Sequence, residues 1–200
     1  MEHHQISFLK SGHVFTHGDL NSNSIVLLFH GYAQLATEFA ESFLSITGHS
    51  TIIAPEASSY FYKKGLRNDV GASWMTSRHR NFEIDDYLCY LDNVSTQFDL
   101  SNKVVSVIAF SQGVSTCLRW LQHSGQIIDQ LFLIAGVFPD DVTFDTLKFN
   151  KAKYFYGNDD RLIRKETIVE WDNKLAIPFL EYEGGHEINE QLLTLIKNDL

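Results

Sequence analysis

A serine, a histidine and a pair of neighbouring aspartates could carry out nucleophilic catalysis in this chain if the fold brings them together. They are Ser111, the adjacent residues Asp159 and Asp160, and His186. A serine hydroxyl is a weak nucleophile until a base takes its proton, and that base needs a carboxylate to orient it. The order serine, acid, histidine along a chain of alternating strands and helices predicts acyl transfer through Ser111.

Ser111 has the sequence frame of a nucleophile elbow, which is a sharp turn from a strand into a helix. A β-branched run over 104–108 precedes it, and a helix-compatible run over 114–123 follows it. Such a turn lifts the hydroxyl clear of the backbone, with the N-terminus of the next helix beneath it. Gly113 suits the tight turn, and Ala109, where the usual pattern has glycine, is small enough to be tolerated. The alternative interpretation is a loop with a surface hydroxyl.

The acid and the histidine both follow predicted strands. Residues 153–156 are typical of a short strand before the turn that carries Asp159 and Asp160, and residues 177–182 are typical of another, which ends shortly before His186. Parallel sheets build their sites at the carboxyl ends of strands. We therefore expect His186 to be the base, beside one aspartate of the turn. The alternative for His186 is a helix-capping or surface histidine.

A continuous apolar strand over 25–29 ends at His30, Gly31 and Tyr32. Its unbroken apolar character is typical of a strand that is buried on both faces. In α/β-hydrolases a loop after this strand supplies one backbone N–H of the oxyanion hole, and the residue after the nucleophile supplies the other. In this chain those residues would be Tyr32 and Gln112.

The chain resembles the phospholipase/carboxylesterase family of α/β-hydrolases, which includes the acyl-protein thioesterases. The resemblance extends from about residue 25 to the end and rests on Leu28-Phe29-His30-Gly31, Ala54-Pro55-Glu56-Ala57, Trp74, Phe110-Ser111-Gln112-Gly113, Gly157-Asn158-Asp159-Asp160 and Gly185-His186. It implies a serine hydrolase of carboxylic esters or thioesters with Ser111, Asp160 and His186 as its triad. The chain departs from the family at Ala109, at Arg161, where proline is frequent, and in its shorter length. None of these departures removes a catalytic atom.

The elements that must position these residues alternate between strand and helix. This alternation predicts an α/β fold with a mostly parallel central sheet and helices on both faces. Two runs, over 5–9 and 13–16, predict an N-terminal antiparallel hairpin, and helices are expected near 37–45, 82–97 and 164–174 and from 187 to the end. A chain of 200 residues fits a single domain over 1–200.

Trp74 and Met75 lie in the irregular segment 56–80, which leaves a strand on the same edge as the proposed triad. Their apolar side chains could line a pocket for an acyl group. They could equally cover an exposed edge of the core. A further alternative concerns the whole protein, because a non-catalytic, hydrolase-like binding protein for small molecules could keep all of these residues.

The net charge and the motif content of the chain exclude several kinds of binding partner. A net charge of −9 argues against nucleic acid and against electrostatic docking to anionic lipid, so we expect a small-molecule acyl ester or thioester. Motifs for metals, phosphates or dinucleotides are missing, so no metal and no cofactor are expected. The absence of a leader pattern and of a long apolar run predicts a cytoplasmic protein without stable membrane insertion. Cys89 and Cys117 are expected to be buried free thiols, and the oligomeric state stays open.

Overall fold

A seven-stranded sheet lies between two layers of helices in the computed structural model, which describes residues 1–2, 4–65 and 69–200. The strands are β1 His13–His17, β2 Ser24–Phe29, β3 Thr51–Glu56, β4 Ser59–Tyr62, β5 Val70–Ser73, β6 Val104–Phe110, β7 Ile127–Ile134, β8 Lys148–Gly157 and β9 Phe179–Tyr182. The helices are α1 Ala36–Glu41, α2 Arg80–Gln97, α3 Gln112–Ser124, α4 Lys165–Lys174 and α5 Glu190–Lys197. Short 3₁₀ turns occur at Leu100–Asn102 and Phe144–Thr146.

The strand order of the main sheet is β1-β3-β2-β6-β7-β8-β9. The pair β1 and β3 is antiparallel, and every other neighbouring pair in this sheet is parallel. This topology confirms the predicted α/β class. It also brings the carboxyl ends of β2, β6, β8 and β9 to one edge of the sheet, where the predicted polar residues follow them.

The core consists of two apolar layers because successive side chains of a strand point to opposite faces. In β2, Leu27 and Phe29 belong to the layer under α2, α3 and α4, whereas Val26 and Leu28 belong to the layer under α1 and α5. All four side chains are at most 1% exposed. This double burial explains why β2 is a continuous apolar run, and it makes the strand a rigid support for the loop that follows it.

The predicted N-terminal hairpin is wrong about which strand pairs with β1. Residues 5–12 form no strand, and β1 pairs antiparallel with β3, His13 opposite Glu56 and His17 opposite Ile52. An isolated two-stranded hairpin is marginal in water, whereas the edge of a large sheet gives β1 five cross-strand pairs on a packed support. The antiparallel element is therefore present, but its partner is a distant strand.

The segment 56–80 is more regular than its sequence indicates. Strands β4 and β5 form a separate antiparallel pair, with Ser59 opposite Ser73 and Tyr62 opposite Val70. Lys63 and Asp69 close this hairpin through an ion pair at 3.1 Å. Residues 66–68 of the segment lie outside the described part of the chain.

Helix α3 is tied to the loop after β7 by a partly buried ion pair. The guanidinium of Arg119 donates from Nε and Nη2 to the two carboxylate oxygens of Asp141, each at 2.8 Å. These hydrogen bonds hold the pKa of Asp141 at about 2, below its usual range. Because Arg119 is 6% exposed, Asp141 supplies the countercharge that keeps this residue tolerable inside the protein.

The two cysteines differ in environment. Cys117 is buried, which raises the pKa of its thiol and keeps it protonated. Cys89 is exposed, contrary to expectation, because the buried stripe of α2 runs through Ile84, Tyr87 and Leu91 and Cys89 lies on the opposite side of the helix. No helix in the described part of the chain is long and apolar enough to cross a membrane.

Candidate active site

Ser111 occupies the predicted sharp turn between β6 and α3. Its backbone has φ +53° and ψ −119°, a combination that non-glycine residues rarely adopt. The Ser111 amide donates to the Ile134 carbonyl at 2.9 Å, which anchors the turn to β7. A β-carbon on Gly113 would lie 2.3 Å from the Phe29 carbonyl oxygen, so glycine lets α3 begin directly against the end of β2. Ala109 fits because it lies within β6, completely buried.

Ser111, His186 and Asp160 form one hydrogen-bonded chain. His186 Nε2 lies 2.8 Å from Ser111 Oγ, and His186 Nδ1 lies 2.8 Å from Asp160 Oδ2. An ionised carboxylate can only accept, so Nδ1 donates to Asp160 and Nε2 of the neutral ring is free to accept from the serine hydroxyl. This is the tautomer that a general base beside a serine requires.

The two adjacent aspartates have opposite environments. The Asp160 side chain is 1% exposed, and its Oδ1 accepts from the amides of Leu162 at 2.7 Å and Ile163 at 3.2 Å. The Asp159 side chain is 78% exposed, and its Oδ2 lies 3.9 Å from Nη2 of Arg161. The fold therefore brings Asp160 to His186 and leaves Asp159 on the surface of the turn.

The loop that carries His186 is held by hydrogen bonds from both sides. The Tyr182 hydroxyl donates to the Glu187 carbonyl at 2.9 Å, and Asn189 Nδ2 donates to the Glu183 carbonyl at 2.7 Å. The Phe110 ring packs against the imidazole, with their centroids 4.9 Å apart. These contacts restrict the His186 ring before any substrate binds, which keeps the cost of orienting it low.

His30 is a structural residue at the end of β2. Its ring is completely buried, Nδ1 donates to the Gly31 carbonyl at 2.8 Å, and Nε2 accepts from the Ala57 amide at 3.0 Å. Burial lowers the pKa of His30, in agreement with a neutral ring that both donates and accepts. His30 therefore joins the loop after β2 to the end of β3.

The loop after β2 passes directly beside the serine. A β-carbon on Gly31 would lie 3.1 Å from Ser111 Cβ. The described part of the chain supplies no acceptor for the Tyr32 amide, and Gln112, as the first residue of α3, has an amide without an intrahelical acceptor. The Tyr32 ring is 56% exposed and stacks on Phe61 at 5.0 Å. The oxyanion role of the two amides stays a prediction.

Trp74 lies in the core instead of on a surface open to an acyl group. Its side chain is 3% exposed, its indole N–H donates to the His30 carbonyl at 2.9 Å, and its ring packs on Phe29 at 5.9 Å. Of the two interpretations of Trp74, this burial favours cover of the core edge, and its place in an acyl pocket stays a prediction. Met75 is half-buried, and its carbonyl accepts from Gln112.

Trp74 also borders a cavity of about 510 Å³ between residues 8–14 and α2. The described lining of this cavity includes Tyr90 and Glu83 but not Ser111. This cavity is therefore separate from the hydrogen-bonded chain described above.

Trp74→Phe tests the core position of the indole. We expect the free energy of unfolding to fall by about 2–3 kcal/mol, because the change leaves a cavity and removes the hydrogen bond to His30. Urea unfolding measures this loss, with Trp171→Phe on α4 as the control for removing a half-buried indole elsewhere. The relative rates on short and long acyl esters should stay the same. A changed chain-length preference at unchanged stability would instead show that Trp74 lines the substrate pocket.

Two residues that support the site were not predicted. Gln34 Oε1 accepts from the Gly31 amide at 2.7 Å, and Glu56, 6% exposed, accepts from the Ala36 amide and from the Tyr60 hydroxyl, both at 2.8 Å. Glu56 had one detectable signal, since a carboxylate at the end of a buried strand needs partners. Gln34 had none, because a glutamine three residues after a glycine is not distinctive.

Comparison of the sequence with protein-family models and with curated proteins finds no match. Solved structures do match. Esterase PE8 is 15% identical, with a TM-score of 0.71 over 95% of this chain and 98% of that one. The phospholipase/carboxylesterase from Dyadobacter fermentans is 18% identical, with a TM-score of 0.67 over 96% and 97%. Acyl-protein thioesterase 2 from Zea mays is 12% identical, with a TM-score of 0.67 over 94% and 97%.

These likenesses cover nearly the whole of each chain, although the sequences have diverged far. The parallel sheet, the flanking helices and the antiparallel first strand are all part of the shared architecture. The chain therefore has the α/β-hydrolase fold, as these esterase and thioesterase structures do.

Proposed function

We propose that the protein is a serine hydrolase that cleaves carboxylic esters or thioesters through an acyl-enzyme. The observation that carries this proposal is the hydrogen-bonded chain from Ser111 Oγ through His186 to Asp160, with both contacts at 2.8 Å. A serine, a neutral imidazole and a buried carboxylate in this sequence of contacts are the parts that acyl transfer requires. The esterases and thioesterases of the same fold support the same class of reaction.

In the first half of the reaction, Ser111 Oγ attacks the acyl carbonyl carbon while His186 Nε2 takes the hydroxyl proton. The carbonyl oxygen becomes an oxyanion, which accepts hydrogen bonds from the backbone amides of Tyr32 and Gln112. Protonated His186 then gives its proton to the departing alkoxide or thiolate, and the acyl group stays on Ser111. Asp160 stabilises the imidazolium between these two steps without becoming protonated itself.

In the second half, a water molecule replaces the leaving group. His186 takes a proton from this water as it attacks the acyl-enzyme carbonyl, and returns the proton to Ser111 Oγ as the carboxylic acid departs. The same two amides accept the second oxyanion. Every proton that moves is thus handled by one imidazole, which agrees with the several contacts that fix the His186 loop.

Exposed apolar residues on the edge of the sheet that carries Ser111 favour a substrate with an apolar acyl or leaving group. Tyr32, Val137 and Leu162 are 56%, 53% and 73% exposed and follow β2, β7 and β8 on the edge that carries the triad. Apolar side chains in such positions gain about 25 cal/mol for each Å² that a substrate covers. We therefore propose a small-molecule acyl ester or thioester as substrate.

A panel of p-nitrophenyl esters and acyl thioesters of increasing chain length tests the proposal. The purified protein is expected to turn over at least part of the panel, with hydrolysis that stops after Ser111 is blocked. Turnover of each ester and binding of the same ester are measured in parallel, which distinguishes a hydrolase from a non-catalytic binding protein. Ligand binding without any turnover across the panel would contradict the enzyme and favour a non-catalytic binding protein.

A further inference from the structure

The side chain of Gln112 binds the protein's own backbone. Its Oε1 accepts from the Trp74 amide at 3.0 Å, and its Nε2 donates to the Met75 carbonyl at 2.8 Å. The Ser73 hydroxyl lies 3.4 Å from both amide atoms and donates to the Met75 carbonyl at 2.8 Å. The residue after the nucleophile is thus attached to the segment that continues from β5.

The same stretch of chain holds the loop after β2. The Ala33 amide donates to the Ala72 carbonyl at 2.9 Å, and the Ala72 amide donates to the Gln34 carbonyl at 3.3 Å. A β-carbon on Gly71 would lie 2.7 Å from the Ala33 carbonyl oxygen, so the two backbones are in direct contact. Residues 71–75, which we name the bridge segment, therefore bind both the loop after β2 and the start of α3.

The main sheet does not hold these two places together directly. The last cross-strand pair between β2 and β6 joins Phe29 and Ala109. The Tyr32 amide and the Gln112 amide each belong to a residue three positions beyond that pair (32 − 29 and 112 − 109). Beyond the end of the strand pairing, the loop after β2 and the start of α3 pack closely at Gly31 and Gly113, and the bridge segment adds hydrogen bonds to both of them.

We propose that the Gln112 side chain is a positioning residue that sets the separation of the Tyr32 and Gln112 amides through the bridge segment. This inference rests on the proposed function, in which those amides bind the oxyanion. It gives Gln112 two separate tasks, since its backbone contacts the reacting oxygen and its side chain holds that backbone in place.

This role has a specific kinetic signature. Oxyanion donors act on charge that develops in the transition state, so moving them raises the barrier and leaves the binding of the ground state nearly unchanged. Displacement of a catalytic group by about 1 Å can cost on the order of 10²-fold in rate. Loss of the Gln112 contacts should therefore lower kcat, with little change in KM.

Gln112→Met is the test variant, because methionine keeps the length and the helix propensity of glutamine and removes both hydrogen bonds of the amide. Gln122→Met is the matched control on the same helix. The Gln122 amide also joins α3 to a loop, accepting from Thr143 N at 2.7 Å and donating to the Asp141 carbonyl at 3.0 Å. Both variants lose side-chain hydrogen bonds to backbone groups, but only Gln112 is adjacent to Ser111.

We expect Gln112→Met to lower kcat by about 10- to 100-fold, with KM within about 2-fold of the wild type. A trifluoromethyl ketone, to which Ser111 Oγ adds to form a tetrahedral oxyanion, should bind more weakly by a similar factor. Gln122→Met should lower the melting temperature while kcat stays within about 2-fold. If Gln112→Met does not fold, Gln112→Asn, whose amide is one methylene shorter, carries the same expectation.

A folded Gln112 variant with wild-type kcat would overturn the inference alone, provided that the wild type turns over and Ser111→Ala does not. A loss that appears only in KM would overturn it as well. A wild-type protein without hydrolytic activity, or a Ser111→Ala variant with full activity, would overturn the proposed function and this inference with it.

Discussion

Replacing Ser111 by alanine is expected to lower kcat on the best ester of the panel by about 10⁴-fold or more. The change removes the oxygen that lies 2.8 Å from His186 Nε2, so acyl transfer to the protein can no longer begin. What remains is water attack assisted by the imidazole and the two amides, which is much slower. KM should change little, because the hydroxyl contributes to the transition state more than to ground-state binding.

The Ser111→Ala variant is also expected to fold. Alanine meets the same restriction as serine at φ +53°, so the substitution adds no new strain to the turn. Ser115→Ala is the matched control, since Ser115 is one helical turn further along α3 and its hydroxyl donates to the Val137 carbonyl at 2.7 Å. A folded Ser111→Ala protein that keeps more than about a tenth of the wild-type kcat would exclude Ser111 as the nucleophile.

The second large effect is expected at Asp160. Asp160→Asn should lower kcat by as much as about 10⁴-fold, because an amide can donate to Nδ1 and hold the imidazole in the wrong tautomer. The Leu162 and Ile163 amides, which donate to Asp160 Oδ1 at 2.7 and 3.2 Å, can donate equally to the asparagine carbonyl oxygen. The turn should therefore persist, and the loss should appear in kcat.

Asp159→Asn separates the two neighbouring carboxylates. The Asp159 side chain is 78% exposed and lies 3.9 Å from Arg161, so its loss should change both kcat and stability only slightly. The two variants are compared at equal folded fraction, checked by circular dichroism. The reverse ranking would transfer the role to Asp159, and two variants with nearly normal kcat would place the acid elsewhere in the chain.

The elbow, the histidine loop and the parallel sheet could be predicted because their signals are local. Strand β2 is apolar at every position from Ile25 to Phe29, as burial on both faces demands, and Gly113 marks the close approach of α3 to β2. The choice between Asp159 and Asp160 was different. Residue types and spacing did not decide which aspartate contacts His186, and only the resemblance to the phospholipase/carboxylesterase family favoured Asp160.

The features that were missed depend on contacts between residues far apart in sequence. The hydrogen bond from the Trp74 indole to the His30 carbonyl joins residues 44 positions apart, so the sequence left core cover and pocket lining equally open for Trp74. Gln112 and the Met75 carbonyl are 37 positions apart, so no local pattern indicates that this amide binds backbone. The N-terminal hairpin failed for the same reason, because β1 pairs with the distant strand β3 and itself becomes the edge strand of the sheet.

Active-site labelling tests the central claim most directly. A fluorophosphonate reacts with a serine that a neighbouring base activates: Oγ forms a bond to phosphorus, fluoride leaves, and the hydroxyl proton passes to His186. Peptide mapping by mass spectrometry of the labelled wild type should find one modified residue, Ser111, and Ser111→Ala should remain unlabelled. Absence of labelling in the folded wild type, or equal labelling of the Ser111→Ala variant, would contradict the assignment of Ser111 as an activated nucleophile.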